Sequence, residues 1–303
     1  MSIERKPIVI LGPTASGKSD SAMSAAINNG NTEIVVCDAM QVYKRMDIGT
    51  AKPTLEDQQK VQHHCIDLVE PSARFTVSDY QIAARAAVAD IHARDKNALV
   101  VAGTGLYLTS LIDDLSFPGE WPEIRRELQE EPDVNTLYRR LKALDPVAAA
   151  NIERSNRRRI ERALEVCMGS GKPFSDNAPG TGAYPDNGVV QIGLLWPREV
   201  LVKRVAERVN AMLKWGFLDE VRDLRKSGNM SITAKQALGY AELLRHLEGK
   251  CTLEQAVGDI VIHTRQFAVR QERWFRRDPR ITWVNIEKNP VAEIGAVLAK
   301  HLN

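Results

Sequence analysis

The stretch Gly-Pro-Thr-Ala-Ser-Gly-Lys-Ser at residues 12–19 decides the fold class, because it matches the complete G-x-x-x-x-G-K-[ST] phosphate-loop pattern. The apolar run 7–11 before it predicts a short strand, and the alanine-rich stretch 21–29 after it predicts a helix. A strand, a glycine-bearing turn and a helix N-terminus direct several backbone N–H groups at one point, where an anion binds. An accidental glycine-rich turn is the alternative, but it does not account for the flanking strand and helix. The stretch therefore predicts a site for a di- or triphosphate.

The same pattern assigns roles to its last two residues. The Lys18 ammonium would reach the outer phosphate, and the Ser19 hydroxyl would hold Mg2+ as the metal ligand and cofactor site. The predicted diphosphate-binding residues are Gly12, Pro13, Thr14, Ala15, Ser16, Gly17, Lys18 and Ser19.

Length and composition limit the function classes. The chain has 303 residues, 44% of them hydrophobic, which is enough for one large or two modest domains with a sizeable core. No apolar segment precedes the first strand and no apolar run approaches the ~18 residues of a membrane span, so we expect a cytoplasmic protein without a membrane partner. The formal charge of +2 is too small to indicate a nucleic-acid partner by itself. The four scattered cysteines predict reduced thiols that serve in packing.

Alternating apolar and amphipathic stretches predict an α/β fold with a parallel sheet. The predicted strands after the first are 34–37, 98–101, 192–195 and 281–284, and the predicted helices after the first are 79–94 and 198–226.

The pattern changes in the middle of the chain, where clear strands are missing. Charged amphipathic segments there predict an inserted α-helical domain with helices over 123–130, 136–144 and 157–169, followed by a loop rich in Gly, Pro and Asn over 172–188. We therefore predict a phosphate-loop catalytic core at 1–116 and 189–303 and a helical insertion domain at 117–188.

Asp38 ends the second predicted strand and lies where open α/β sheets bind ligands. It could hold Mg2+ indirectly, as in an ordinary NTPase, or it could accept a proton from a second substrate; these residues by themselves leave both roles open. The loop Gly103-Thr104-Gly105 follows another strand, and its small residues allow close approach of a ligand. For His63 and His64, structural hydrogen bonds are favoured over a metal site.

Two basic clusters could meet a nucleic acid. One lies within residues 154–162, and the other lies within 265–280 and is interleaved with aromatic residues. Guanidinium groups and aromatic rings suit phosphates and unstacked bases, but a charged helix with its apolar stripe in a core fits the second cluster equally well. Arg208 lies in the stretch 204–212 of a predicted helix, where a single arginine is usually part of an ordinary solvated face.

Together these stretches resemble the bacterial tRNA dimethylallyltransferases, also called tRNA isopentenyl transferases (the IPP transferase family). The matching stretches occur in the family's order and cover nearly the whole chain: 12–19, 37–53, 63–67, 102–108, 162–166, 208–213, 236–240 and 264–276. DIGTAKP at 47–53 and TRQFAVRQ at 264–271 are far more specific than the phosphate loop. The chain departs from the family pattern at Ala39, Ala102 and Arg157–Arg158.

The resemblance implies prenyl transfer from dimethylallyl diphosphate to N6 of the adenosine just 3′ of the anticodon, in tRNAs that read codons beginning with U. It implies Asp38, Thr104 and Arg208 as catalytic residues, with Asp38 as the general base. It also implies a monomer that binds the tRNA anticodon stem-loop. The tRNA contacts that it maps onto this chain are Asp38, Ala39, Met40, Gln41, Thr104, Arg125, Arg158, Arg159, Ile160, Glu161, Arg162, Lys235, Gln236, Ala237, Leu238, Gly239 and Tyr240.

Two other functions share part of these features. A small-molecule or nucleotide kinase would use the same loop, Lys18 and Mg2+ for phosphoryl transfer from ATP. An RNA-binding switch gated by a nucleotide would bind RNA without forming a covalent product. Neither explains the DIGTAKP stretch together with a long basic insertion.

Overall fold

The computed structural model describes residues 5–177, 182–228 and 230–302. Its strands are β1 (Ile8–Leu11), β2 (Thr32–Cys37), β3 (His63–His64), β4 (Asn97–Ala102), β5 (Val190–Leu195) and β6 (Ile281–Asn285). Its α-helices are α1 (Lys18–Asn29), α2 (Leu55–Lys60), α3 (Val77–Ala93), α4 (Gly105–Ile112), α5 (Pro122–Glu130), α6 (Val134–Leu144), α7 (Pro146–Asn151), α8 (Arg157–Ser170), α9 (Arg198–Lys214), α10 (Phe217–Lys226), α11 (Ile232–Lys235), α12 (Tyr240–Leu247), α13 (Leu253–Phe275) and α14 (Pro290–Leu298).

The six strands form one sheet in the order β3-β2-β4-β1-β5-β6, and every pair is parallel. Ile8 and Ile10 of β1 face one apolar cluster, with α1 and α14, whereas Val9 and Leu11 face another, with α3 and α4. Burial of both faces explains why these strands read as continuous apolar runs. The predicted α/β fold with a parallel sheet is confirmed, and so are the five predicted strands.

The chain divides into two compact units, one of residues 1–113 with 184–303 and the other of residues 114–183. The second unit contains α5 to α8, and its core includes Leu128, Leu137, Leu141 and Leu164. The predicted insertion at 117–188 overlaps this unit. Within the predicted loop 172–188, a short 3-10 helix spans Phe174–Asn177, and residues 178–181 lie outside the described residues.

One predicted helix was wrong, and two elements were not predicted. The single helix predicted over 198–226 is two helices, because Gly216 adopts a left-handed φ of 98° that separates α9 from α10. Helix α14 was not predicted, although it packs against α1 and closes one apolar cluster. The edge strand β3 is only two residues long, too short for periodicity to reveal it.

Cys37, Cys65, His63 and His64 have structural roles. Burial raises the pKa of the Cys37 thiol well above its ordinary value and that of Cys65 to about 12, so neither is a nucleophile near neutral pH. All four cysteines are free, and Cys251 is only half-buried. A ring nitrogen of His63 lies 2.8 Å from the Val61 carbonyl oxygen, and one of His64 lies 2.7 Å from the Glu33 carboxylate. The expectation of structural hydrogen bonds at this pair is confirmed.

No helix within the described residues is both long enough and apolar enough to cross a bilayer.

Candidate functional site

The pairing register brings three loops to one edge of the sheet. Leu11 and Cys37 both pair with Ala102, so β1, β2 and β4 end at the same level. The next residues, Gly12, Asp38 and Gly103, therefore begin their loops side by side. Carboxyl ends of parallel strands are where open α/β sheets bind ligands.

The loop between β1 and α1 has the backbone geometry that its motif requires. Gly17 has a φ of 88°, and Ala15 has a left-handed φ of 63°. A Cβ on Gly17 would lie 2.6 Å from Pro290 Cγ, so no larger residue fits. The start of α1 leaves its first backbone N–H groups without intrahelical acceptors. These groups and the helix dipole favour an anion at this position.

Two side chains that sequence reasoning missed hold this loop from the β5–α9 segment. The Trp196 indole N–H donates to the Ser16 carbonyl at 2.8 Å, and Arg204 Nε donates to the Ala15 carbonyl at 2.7 Å. The Arg204 guanidinium also stacks over the Trp196 ring, 4.7 Å from its centroid. Trp196 directly follows β5, at the ligand-binding edge, which was the available signal for it, whereas Arg204 lies within α9.

Positive charge is concentrated beside the loop. Burial, with repulsion from Arg208, lowers the pKa of Lys18 to about 8, while attraction from Asp38 and Asp20 opposes that shift. Burial likewise lowers the pKa of Arg208. Within the described residues, Arg208 forms no hydrogen bond or ion pair and Lys18 hydrogen-bonds only to the Pro13 carbonyl, at 3.3 Å. Two desolvated cations close enough to repel each other make a strong site for a polyanion.

Asp38 presents one carboxylate oxygen to this site. Its Oδ1 accepts hydrogen bonds from the backbone N–H of Met40 at 2.8 Å and of Gln41 at 3.3 Å. Its Oδ2 lies 3.5 Å from the position of a Cβ on Gly103, and Lys18 Cε lies 3.5 Å from the same position. The phosphate-loop lysine and the carboxylate therefore converge on the same space beside Gly103.

Thr104 joins the ends of β2 and β4. The N–H groups of Gly103 and Thr104 both donate to the Cys37 carbonyl, at 3.1 and 3.2 Å. The Thr104 hydroxyl accepts from the Ala39 N–H at 3.2 Å, which leaves its own proton available to a ligand. A Cβ on Gly105 would lie only 2.1 Å from the Trp274 ring, so close packing requires this glycine.

The DIGTAKP stretch mainly makes contacts within the protein. Lys52 has a buried side chain whose Nζ contacts Asp47 Oδ1 and Asp67 Oδ1, each at 2.6 Å, and the Tyr43 carbonyl at 2.8 Å. These bonds hold together the segment that follows Asp38.

Glu220, on α10, also holds the DIGTAKP stretch in place, and sequence reasoning missed it. Its carboxylate accepts from the N–H groups of Asp47, Ile48 and Gly49, and from the Tyr240 hydroxyl at 2.5 Å. Burial, and then the nearby Glu220 charge, raise the pKa of Tyr240 well above its ordinary value. One motif residue, Gly49, shows why bulk is excluded there: a Cβ on it would lie 2.2 Å from the Phe217 ring.

Several predicted tRNA contacts in the first unit have buried side chains. Gln41 is 9% exposed and donates to the Thr50 carbonyl at 3.0 Å. Ala237 and Tyr240 lie in a core cluster. Their side chains face the interior, and their contact with RNA stays a prediction. Ala39, Met40 and Leu238 are half-buried, Gly239 is buried, and Lys235 and Gln236 are exposed.

In the second unit, too, some of the predicted tRNA contacts are buried or already paired within the protein. Ile160 is completely buried in the core, so its side chain offers no surface to RNA, and its contact with RNA stays a prediction. Arg125 and Arg162 both pair with the buried Glu165, at 2.9 and 3.0 Å.

The arginines at the start of α8 divide between structure and surface. Arg157 donates to the carbonyls of Leu128, Gln129, Glu131 and Pro132 near the end of α5, and it pairs with Glu161 at 2.6 Å. Arg158 and Arg159 are exposed, and they remain predicted RNA contacts.

The second basic cluster, at 265–280, is partly structural. Arg280 forms ion pairs with Asp113 at 2.6 Å and Asp278 at 2.7 Å. Phe275 is buried in a core cluster, as the interpretation of an apolar stripe expects. Arg270 stacks on Phe267 of its own helix, α13, and Arg277, in the turn after this helix, stacks on Trp274.

Comparison with known proteins identifies the same family as the motifs. The family model "IPP transferase" matches residues 41–278. A tRNA dimethylallyltransferase of Thermobifida fusca (strain YX) is 46% identical over 286 residues, 91% of this chain and 89% of the relative. A tRNA dimethylallyltransferase of Carboxydothermus hydrogenoformans is 42% identical over 301 residues, 96% of each chain.

Solved structures agree. The full-length tRNA isopentenylpyrophosphate transferase of Bacillus halodurans superposes with a TM-score of 0.71 at 35% identity, covering 99% of this chain and 97% of that one. A eukaryotic dimethylallyltransferase described as acting on tRNA superposes with a TM-score of 0.78 at 27% identity, covering 93% of this chain and 74% of that one. On this evidence, the chain belongs to the IPP transferase family.

Proposed function

We propose that this protein transfers the dimethylallyl group of dimethylallyl diphosphate to N6 of the adenosine immediately 3′ of the anticodon, tRNA position 37, in tRNAs that read codons beginning with U. The observation that carries the proposal is the convergence of Lys18 and Asp38 on Gly103 at the phosphate loop. The curated relatives, named tRNA dimethylallyltransferases, support it.

The phosphate loop would act on the leaving group. The bond between the allylic carbon and the diphosphate oxygen breaks, which places negative charge on the diphosphate and positive charge on carbon. Lys18, Arg208 and the N–H groups at the start of α1 stabilise the negative charge, as donors in a preorganised anion site do. Thr14 and the other loop residues, from Gly12 to Ser19, shape this site.

Asp38 would act on the nucleophile. The adenine amino group is weakly nucleophilic because its lone pair is delocalised into the ring. As the N–C bond forms, Asp38 Oδ2 takes the amine proton, while Oδ1 stays held by two backbone N–H groups. General base catalysis of this kind contributes about 100- to 10,000-fold. The products are N6-(dimethylallyl)adenosine and diphosphate.

Mg2+ fits the oxygen donors present. Ser19 is exposed at the start of α1, beside the phosphate loop. The described residues contain no group of three or more His, Cys, Asp or Glu side chains that could hold a metal ion by themselves. Mg2+ commonly uses one or two protein oxygens together with substrate phosphates and waters, so the Ser19 hydroxyl suffices as its protein ligand. When bound, Mg2+ neutralises charge on the diphosphate.

Binding of the anticodon stem-loop would rely on the exposed residues of the predicted set. Arg158, Arg159, Lys235 and Gln236 have accessible side chains for the RNA backbone. The target base must leave its stack to reach the diphosphate, at a cost of a few kcal/mol. Thr104 would orient that base through its hydroxyl. The protein would act as a cytoplasmic monomer.

The test is mass spectrometry of an anticodon stem-loop RNA incubated with the protein, Mg2+ and either dimethylallyl diphosphate or ATP. We expect a mass gain of one dimethylallyl group on the adenosine with the first donor and no covalent change with ATP. A phosphorylated product would instead indicate a kinase. Nucleotide-dependent RNA binding without any product would indicate a switch.

A further inference from the structure

One glutamine connects the phosphate loop to the loop after β4. Gln271 lies on α13 and is 6% exposed. Its Oε1 accepts the Thr14 backbone N–H at 2.8 Å, and its Nε2 donates to the Gly103 carbonyl at 2.6 Å. A single planar amide thus bonds two loops that begin side by side at the ends of β1 and β4.

This bridge, formed by the Gln271 amide, lies beside Lys18 and Asp38, the two side chains that the reaction needs. The position of a Cβ on Gly103 is 3.4 Å from Gln271 Nε2, 3.5 Å from Asp38 Oδ2 and 3.5 Å from Lys18 Cε. Lys18 belongs to the phosphate loop, whereas Asp38 is tied to the Gly103 loop through the shared carbonyl of Cys37. The spacing between the Lys18 ammonium and the Asp38 carboxylate therefore depends on how these loops are held together.

The neutral amide of Gln271 satisfies both partners at once. An ionised carboxylate accepts the Thr14 N–H but cannot donate to the Gly103 carbonyl, and a thioether does neither well. A protonated carboxyl group can do both.

We propose that Gln271 is a positioning residue that sets the distance between Lys18 and Asp38 and thereby aligns the diphosphate with the attacking amine. This rests on the proposed prenyl transfer. Displacement of reacting groups by about 1 Å can cost on the order of 100-fold in rate, so loss of the bridge should lower the rate of chemistry about 10- to 100-fold. The affinity for the stem-loop RNA should change little, because the bridge connects loops of the diphosphate site.

The experiment compares wild type, Gln271→Met and Gln271→Glu, with Ala268→Gly as a control that weakens the same helix and leaves both hydrogen bonds of Gln271 in place. Single-turnover prenyl transfer is measured from pH 5.5 to 8.5 with saturating RNA. RNA affinity, thermal unfolding and the affinity for diphosphate in MgCl2 without RNA are measured separately.

We expect Gln271→Met to lose rate about 10- to 100-fold while Ala268→Gly keeps nearly the full rate at temperatures where both are folded. For Gln271→Glu, the rate relative to wild type should rise as pH falls, because protonation restores a donor toward Gly103. A merely structural role would leave that ratio flat. A Gln271→Met rate within about threefold of wild type, or a flat ratio for Gln271→Glu, would overturn the proposal.

Failure of the proposed function has a different outcome. If wild type forms no prenylated RNA, the calorimetric diphosphate affinity decides about the bridge. We then expect Gln271→Met to bind diphosphate about three- to tenfold more weakly because the loop is less preorganised. Unchanged affinity would reject the bridge.

Discussion

Two motif segments beside the same site use a lysine in opposite ways. In the phosphate loop, Lys18 has only the Pro13 carbonyl as a hydrogen-bond partner among the described residues, and burial lowers its pKa to about 8. In the DIGTAKP segment, Lys52 is satisfied by two carboxylates and a carbonyl. A cation left short of partners is available to a substrate, whereas a fully paired one holds the fold. A sequence motif that is distinctive of a family therefore does not by itself indicate contact with substrate.

The largest effect should come from Asp38, which precedes the DIGTAKP segment and presents a carboxylate oxygen to the site. Asp38→Asn keeps size and hydrogen-bonding capacity but cannot take a proton, so the rate of single-turnover prenyl transfer should fall by about two or more orders of magnitude. The measurement is made across a Mg2+ titration with saturating stem-loop RNA. A flat, deep loss is expected. Recovery at high Mg2+ would indicate an indirect metal ligand instead.

Exchange of each lysine for methionine should separate catalysis from stability. Lys18→Met should lower turnover about 100- to 1,000-fold, as loss of one anion-stabilising donor does, without lowering the unfolding midpoint. Lys52→Met should lower the free energy of unfolding by about 1.5–3 kcal/mol, because it removes charged hydrogen bonds. Lys60→Met, at an exposed pair with Glu56, is the control and should leave the unfolding midpoint nearly unchanged, because solvent screens this pair. Similar profiles for Lys18 and Lys52 would contradict the comparison.

The Lys18 charge should also be visible in the pH dependence of diphosphate binding. Its folded-state pKa of about 8 lies below the ordinary 10.5, so the folded protein loses this proton at lower pH than the unfolded chain does. The stability cost of the buried charge is therefore fully present below about pH 8 and disappears as pH rises from 8 to 10.5. Over the same range the affinity for diphosphate should fall. Calorimetry with Lys18→Met should show no such fall, and an identical pH profile would refute the assignment.

We expect the smallest effect from two neighbouring arginines of the second unit, one exposed and one bonded within the protein. Arg158 is exposed, whereas Arg157 bonds carbonyls near the end of α5. Arg158→Ala should weaken RNA binding and reduce the slope of log affinity against log salt by about one, with unchanged stability. Arg157→Ala should mainly lower the unfolding midpoint. Filter binding at several salt concentrations, together with thermal unfolding, tests both, and equal salt slopes in the two variants would count against this division.

Most elements that carry the fold were predictable because their cause is local. Buried parallel strands read as apolar runs, and the phosphate loop requires glycine at a left-handed position, so both leave a signature in sequence. The break at Gly216 and helix α14 were not predicted, because one depends on a single dihedral angle and the other on packing against α1.

By itself, the sequence determined the phosphate loop, the α/β class, the family and the identities of Lys18, Asp38 and Thr104 as candidates. Only the tertiary structure decided which motif side chains face a ligand and which face the core. Ile160 and Tyr240 stand in predicted RNA-contact segments yet are buried, while Gln271 and Glu220 act on partners far away in the chain. The physical reason is that burial and hydrogen-bond partners depend on neighbours brought together by folding, which no local pattern of residues encodes.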